Sequence, residues 1–294
     1  MIKKGLFGLS KFFLFLISLF PFWLLYLIAD GFYILLYYII QYRRDVVNTN
    51  LANAFPDKTV QERNEIEKKY FHYLSDLIVE SVKMLTISQE NIKKRFTVVN
   101  GEEFTKHFNN GKNILVVTGH YGNWEWGTLG IPSAVKEKVL VVFKPQSNKQ
   151  FEVLINKMRS RFGSVMIPMK QTFRKLIEYK NQPHMLVLVG DQTPPWSESN
   201  YFTSFLNQQT AVFLGVEKLA KATNNPIIYF NITRKKRGYY ECEIKTLVEN
   251  PKETKEYEIT EIHTRELEKN IRLKPEFWLW SHRRWKFDRK VSEQ

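Results

Sequence analysis

Cysteine is almost missing from this chain: Cys242 is the single one in 294 residues. That excludes an intramolecular disulfide and any zinc site built on two cysteines, and it fits a reducing compartment. No His/Cys spacing suggests a metal centre, and His263 lies in a charged helical pattern. Acids are also scarce, 30 Asp and Glu against 44 Lys and Arg, which leaves a formal net charge of +14. An excess of that sign points to an anionic partner, whether nucleic acid, phospholipid or phosphorylated substrate. Repeats, low-complexity linkers and a second-domain boundary are absent, and 44% apolar content with 15% aromatics excludes global disorder. The length suits one large α/β domain or two small ones. No serine or cysteine stands in an elbow such as G-x-S-x-G, so nothing marks a covalent nucleophile.

What the chain does have begins at its N-terminus. After Lys3, Lys4 and Lys11 comes FFLFLISLFPFWLLYLIA (12–29), in which only Ser18 and Pro21 are not apolar. At about 1.5 Å per residue this run is roughly 27 Å long, close to a bilayer hydrocarbon core. Asp30-Gly31 interrupts it, and FYILLYYII (32–40) continues before Arg43-Arg44. A signal peptide has a shorter apolar part, about 7–15 residues, and an A-x-A-like site that is not found here. The remaining alternative is a buried helix of a soluble domain. The run predicts a membrane anchor over 1–44, followed by a catalytic domain over 45–294. Basic residues flank both ends, so a single span and a segment that dips in at Pro21 and returns both stay open.

Past the anchor, Thr59 followed by Glu62 predicts a capping box, and Ile66, Tyr70, Leu74, Leu77, Ile78 and Leu85 recur at helical spacing. Strand patterns follow at 114–118, 139–143, 164–168, 185–190, 226–232 and 239–246. Between them lie helical patterns near 124–135, 147–162, 171–180, 210–223 and 260–273. This alternation predicts an α/β fold, a mostly parallel central sheet flanked by helices. The segment 239–246 follows the turn RKKRG and reads as an antiparallel hairpin partner of the strand before it.

In open α/β sheets ligands sit beyond the carboxyl ends of the strands. His120, Lys144 and Asp191-Gln192 all fall at such ends; taken singly, each also reads as a cap or turn residue. GHYGNWEWG (119–127) carries more: glycines on both sides of His120, and Glu125 five positions on. An imidazole takes a proton from a hydroxyl best when a carboxylate holds its other nitrogen. The expected chemistry is direct acyl transfer to a bound alcohol, with His120 as base and Glu125 as its partner. The C-terminal stretch PEFWLWSHRRWKFDRK (275–290) interleaves aromatic and basic residues. That pattern describes nucleic-acid binding, but Trp at headgroup level and Arg on phosphate describe a bilayer, and the apolar N-terminus favours lipid.

These segments together resemble a known family. HYGNWE (120–125) matches the histidine-x4-acid motif of lysophospholipid acyltransferase-like enzymes. With VFKP (142–145), DQTP (191–194), PEFWLWSHRRWK, NLANAFPD (50–57) and FLNQQTAVFLGVEKLA (205–220), it resembles the late acyltransferases of lipid A biosynthesis in Gram-negative bacteria, from about residue 45 to 287. The resemblance implies an acyltransferase fold on the cytoplasmic face of the inner membrane. It implies an acyl-carrier-protein thioester as donor and a phosphorylated, Kdo-bearing glycolipid as acceptor, with membrane phospholipid nearby, no cofactor and no nucleic acid. It makes His120 the base and Glu125 its partner. Substrate-binding roles follow for Asn123, Lys144, Arg161, Asp191 and Gln192, for Thr210 at a helix start, and for His282, Arg283 and Arg284. Lys144 stands where many members carry arginine and lacks the bidentate fork. Two alternatives are an acyltransferase acting on another lipid hydroxyl and a noncatalytic membrane-tethered module that binds anionic lipid or nucleic acid.

Overall fold

The apolar run at 12–29 is not one helix. The structure, a computed structural model that describes residues 2–287, divides it at Pro21. Helix α1 (Ile2–Leu19) stops there and α2 (Phe22–Ile34) starts, Pro21 serving as an extended N-cap with ψ 156°. Proline has no N–H to continue a helix but suits the residues just before one. A π-helical turn, Leu35–Ile39, prolongs α2. The stretch long and apolar enough to cross a membrane is therefore Phe22–Ile39, shifted from the expected 12–29, while Phe7–Leu19 is shorter. Only 17% of Phe22–Ile39 is buried, unlike the core helix of a soluble domain.

Helix α3 (Arg44–Ala54) leads to α4 (Val60–Lys83), which carries the expected capping box: Glu62 N donates to Thr59 Oγ1 at 3.2 Å and Thr59 N to Glu62 Oε2 at 2.7 Å. Of the expected stripe, Ile78 is exposed; Phe71, Tyr73 and Val79 are buried as well. Helix α4 is the seat of the N-terminal helices. Leu25, Ala29 and Val79 pack together, and Lys83 Nζ donates to the carbonyls of Ser18 in α1 (2.8 Å) and of Phe20 just past its end (2.9 Å). A basic side chain on the last carbonyls of a helix is a favourable C-terminal cap. Arg237 bridges Asp30 of α2 and Asp76 of α4, at 2.5 and 2.6 Å.

Short elements follow, α5 (Gln89–Arg95), β1 (Phe96–Val99) and α6 (Glu102–Asn109). Then come β2 (Ile114–Thr118), α7 (Trp124–Gly130), β3 (Lys138–Phe143), α8 (Lys149–Arg159), β4 (Val165–Pro168), α9 (Thr172–Tyr179) and β5 (His184–Val189). A hairpin, β6 (Phe202–Phe205) and β7 (Gln208–Ala211), precedes α10 (Gly215–Thr223), β8 (Ile227–Lys236), β9 (Tyr239–Val248) and α11 (Glu258–Leu273). The large sheet has the order β1-β9-β8-β2-β5-β3-β4. Strands β8, β2, β5, β3 and β4 are parallel, and β9 turns back antiparallel on β8 as expected. Every residue of β2 is buried: Leu115 and Val117 enter one apolar cluster, Ile114 and Val116 the other. A strand covered on both faces reads as a continuous apolar run.

Three strands were not expected, and one helical reading is too long. Strand β1 and the β6–β7 hairpin carry no sequence pattern that announced them. The helical reading over 210–223 is also too long, since α10 begins at Gly215 and Thr210 sits in β7. The hairpin turns through Leu206 and Asn207, both with positive φ (50° and 61°), the conformation of a two-residue turn that Asn-Gly ordinarily signals.

Candidate active site

Strands β2 and β5 are neighbours in register, Thr118 opposite Val189. His120 and Asp191 lie two residues beyond those partners, so the sheet brings them to the same height at its carboxyl edge. His120 Nδ1 stands 2.6 Å from Asp191 Oδ1, and the backbone N–H of His120 donates to Asp191 Oδ2 at 2.8 Å. Trp278 Nε1 donates to the same oxygen at 2.8 Å. Burial would raise the Asp191 carboxyl, but the charge and hydrogen bond of His120, with the Trp278 indole, bring it down to about 2. An ionised carboxylate on Nδ1 requires a proton on that nitrogen and leaves Nε2 as the acceptor. Nε2 meets the Gln192 side-chain nitrogen at 3.2 Å, and the ring lies edge-on to Trp124 with 5.1 Å between centroids.

Glu125 is not the hydrogen-bonding partner of His120. It lies in the first turn of α7 and takes a forked ion pair from Arg159 of α8, with Nε to Oε2 at 2.7 Å and Nη2 to Oε1. Burial disfavours its charge, yet Arg159, with a smaller contribution from His120, holds the carboxyl below its ordinary value. In the structure the carboxylate on the imidazole is that of Asp191, and Glu125 pairs with Arg159. Helix α7 carries Glu125 toward α8, while the carboxylate on the imidazole comes from the next strand.

The loop between β2 and α7 is held on all sides. Gly122 has φ +59°, and a Cβ there would lie 2.0 Å from the Ile232 carbonyl oxygen, so only glycine fits. Tyr73 Oη donates to Gly122 O at 2.5 Å, and Leu279 N donates to His120 O at 3.2 Å. Asn123 caps α7 by accepting from Trp126 N at 2.9 Å and donates to Glu80 at 2.7 Å. It is buried and lines neither cavity at this end of the sheet, and both of these bonds brace the loop. Burial raises the Glu80 carboxyl to about 7, against the hydrogen bond from Tyr240 and with Asp76 adding to the rise.

Two adjoining cavities lie at this end of the sheet, and His120 lines the smaller. One, about 220 Å³, runs from His120 and Gln192 between the sheet and α7, past Thr128, Val139, Val187 and Phe230. The other, about 480 Å³, is mostly apolar and lies among α1, α4 and α8, with Leu14, Leu77, Met84 and Leu154 in its wall. Trp124, Glu125, Phe143, Lys144, Gln146 and Arg159 line both. Lys144 is therefore at the site, as its strand-end position suggested.

Other expected site residues line neither of these cavities. Arg161 donates to the Met84 carbonyl at 2.5 Å and lines neither cavity; Arg159, two residues earlier, is the arginine that lines both. Thr210 is buried between the Trp285 indole (2.7 Å) and the Gln208 carbonyl (2.8 Å). The Thr193 backbone N–H donates to His282 Nε2 at 3.3 Å; burial pushes this imidazole down to about 4. Arg284 is 3% exposed and donates to the Ala211 carbonyl at 2.7 Å; burial lowers it to about 10 against the opposing pull of Asp191. It cannot reach a headgroup. Trp278 and Trp280 are likewise core residues. Arg283 is exposed and lines an open groove with Asp45, Thr49 and Lys286. Residues 288–290 of the basic stretch, like the end of the 45–294 segment, lie outside the described residues. The paired strand ends after β2 and β5 were a visible signal for Asp191; Arg159 and Trp278 had none that sequence alone could weigh.

The family model of bacterial lipid A biosynthesis acyltransferases matches residues 1–287. A lipid A biosynthesis acyltransferase of Haemophilus influenzae is 23% identical over 243 residues, 81% of this chain and 74% of that protein. A lipid A biosynthesis palmitoleoyltransferase of Escherichia coli K12 and a lipid A biosynthesis acyltransferase of Shigella flexneri are each 22% identical over 246 residues, covering 83% of this chain and 79% of theirs. With a parallel α/β sheet, a histidine at its carboxyl edge and a family match along nearly its whole length, the chain belongs to the bacterial lipid A biosynthesis acyltransferases.

Proposed function

We propose that the protein moves a fatty acyl chain from an acyl-carrier-protein thioester to a hydroxyl of a phosphorylated lipid A precursor, with His120 as general base and Asp191 as the group that orients it. The observation that carries this reading is the 2.6 Å contact of Asp191 with Nδ1, which turns Nε2 toward the cavities. The acceptor hydroxyl gives its proton to Nε2 as its oxygen attacks the thioester carbon. The tetrahedral adduct then collapses, the C–S bond breaks, and the imidazolium returns the proton to the departing thiolate. Asp191 stabilises the imidazolium between these steps and stays ionised. Lys144 and Arg159 supply positive charge beside the reacting carbonyl, where the oxyanion develops. The apolar cavity among α1, α4 and α8 suits hydrocarbon chains, since acyl carbon gains from leaving water at roughly 25 cal/mol per Å².

In this reading Phe22–Ile39 anchors the chain in the bacterial inner membrane, with the catalytic domain on the cytoplasmic face. Exposed Phe12, Phe13, Trp23 and Leu27 on the two N-terminal helices suit lipid contact. The deciding experiment incubates the purified protein and its His120→Ala variant with acyl-carrier-protein donors and a panel of lipid A precursor and lysolipid acceptors. Transfer to the precursor, abolished in the variant, is expected. Transfer only to a lysolipid or aminolipid would move the acceptor assignment, and undiminished transfer in the variant would remove His120 from the chemistry.

A further inference from the structure

Helix α4 sends one carboxylate into a junction that the transfer chemistry does not use. Glu80 is 1% exposed and accepts hydrogen bonds from three different parts of the chain. Tyr26 Oη of α2 reaches Oε1 at 2.9 Å; Tyr240 Oη of β9 and Asn123 Nδ2 reach Oε2, each at 2.7 Å. The Glu80 backbone carbonyl accepts from Trp126 Nε1 at 3.0 Å. The neighbouring cation Arg234 is occupied by Asp76 at 2.7 Å, so neutral donors satisfy the Glu80 oxygens.

The far side of each contact is informative. Asn123 holds the first turn of α7 by its cap, and lies three residues from His120. Trp126, in that same turn, meets the Phe22 ring of α2 edge-on at 6.0 Å, and Phe22 in turn stacks on Tyr26 at 6.1 Å. The apolar helix α2 therefore touches the His120 loop by two routes, one polar through Tyr26, Glu80 and Asn123, the other aromatic through Phe22 and Trp126. Neither route passes through substrate.

We propose that Glu80 is a positioning residue through which the seating of α2 on α4 sets the geometry of the loop carrying His120. This rests on the reading of His120 as the base, and it adds that the N-terminal helix does more than tether. With α2 seated, Tyr26 and Asn123 share one carboxylate, and the loop is held with Trp124 against the imidazole. With α2 displaced, Glu80 loses a donor and Trp126 its ring contact, and the α7 cap loosens.

The test compares full-length parent, Tyr26→Phe and Glu80→Gln in detergent micelles by amide hydrogen exchange, with steady-state kinetics alongside. Phenylalanine keeps the ring packing and removes one donor. Glutamine keeps the shape but sets an NH₂ against groups that donate. In both variants the amides of 122–127 should exchange faster, by about tenfold for one lost hydrogen bond, while those of β2 stay at the parental rate. The kcat should fall, and the acceptor KM should hold. Parental exchange over 122–127 in both variants overturns the proposal, and so does a rise spread equally over β2, which marks a merely structural loss. His120→Ala measured in parallel separates the failures: if it turns over normally the catalytic reading is wrong, while the exchange pattern still decides the coupling.

Discussion

Replacing Asp191 by asparagine tests the orientation of His120 at its weakest point. The carboxylate accepts from the imidazole Nδ1, from the His120 backbone N–H and from the Trp278 indole, at 2.6, 2.8 and 2.8 Å. Asparagine offers one carbonyl oxygen and one NH₂ in the same space. With its oxygen left to the backbone and the indole, the NH₂ faces Nδ1, which must then accept. The ring proton moves to Nε2, and an imidazole protonated there cannot take a proton from an alcohol. With the amide reversed, Nδ1 keeps its proton but two buried donors lose their acceptor, at about 1–3 kcal/mol each. The first arrangement is therefore favoured, and it is the inactive one.

The expected loss in kcat for Asp191→Asn is about 10²–10⁴-fold, the whole contribution of a general base, with the acceptor KM close to parental. Initial rates of transfer with saturating donor, and a melting curve on the same preparation, measure both quantities. Melting should drop modestly, because a charged acceptor of three hydrogen bonds becomes a neutral acceptor of two. If Asp191→Asn kept about a tenth or more of parental kcat while Glu125→Gln was inactive, the orienting role would belong to Glu125 and the reasoning from geometry would fail.

Three further outcomes follow from the same geometry. Glu125→Gln and Arg159→Met should each lower kcat by less than Asp191→Asn, and the double variant should be little worse than either, a coupling of about 1 kcal/mol or more in a double-mutant cycle. Arg284→Ala should lower the melting temperature, since it removes a buried donor to the Ala211 carbonyl, whereas Arg283→Ala should leave melting alone and raise the acceptor KM; the reverse pattern would contradict the burial of the two side chains. Burial holds His263 near 4, below its ordinary 6.5, so the unfolded chain binds the extra proton first: stability is fully present above pH 6.5 and falls as pH drops through 4. That loss should be on the order of 3 kcal/mol in denaturant titrations, and smaller in a His263→Leu variant.

Much of the fold was legible because the central strands are buried on both faces. Runs such as ILVVT and MLVLV then need no alternation to be recognised, and turns separate them from helical patterns. Strand β1 was not legible: four residues at the sheet edge, one of them buried, look like any loop. The β6–β7 hairpin was hidden by a Leu-Asn turn that adopts positive φ without glycine. The break at Pro21 follows from proline's missing donor, yet length and hydropathy alone weigh the run as one piece.

The site was half legible, and the reason lies in how a parallel sheet makes neighbours. The short spacing from His120 to Glu125 draws attention because the two are close along the chain. A helix starting at Trp124, however, swings its second residue away from the preceding strand end and toward α8, where Arg159 waits. Asp191 is 71 residues away in sequence, but β5 is inserted beside β2, and equal offsets from Thr118 and Val189 put its carboxylate on the imidazole. A strand-end acid two residues past an apolar run is therefore a better partner for a strand-end histidine than an acid inside the following helix, whenever the two strands are adjacent. Adjacency is the one quantity that the order of elements along the chain leaves open, because crossover connections can insert a later strand between earlier ones. The Arg283-Arg284 pair shows the same limit. Two identical neighbours divide into one exposed cation and one buried, whose guanidinium donates to the Ala211 carbonyl.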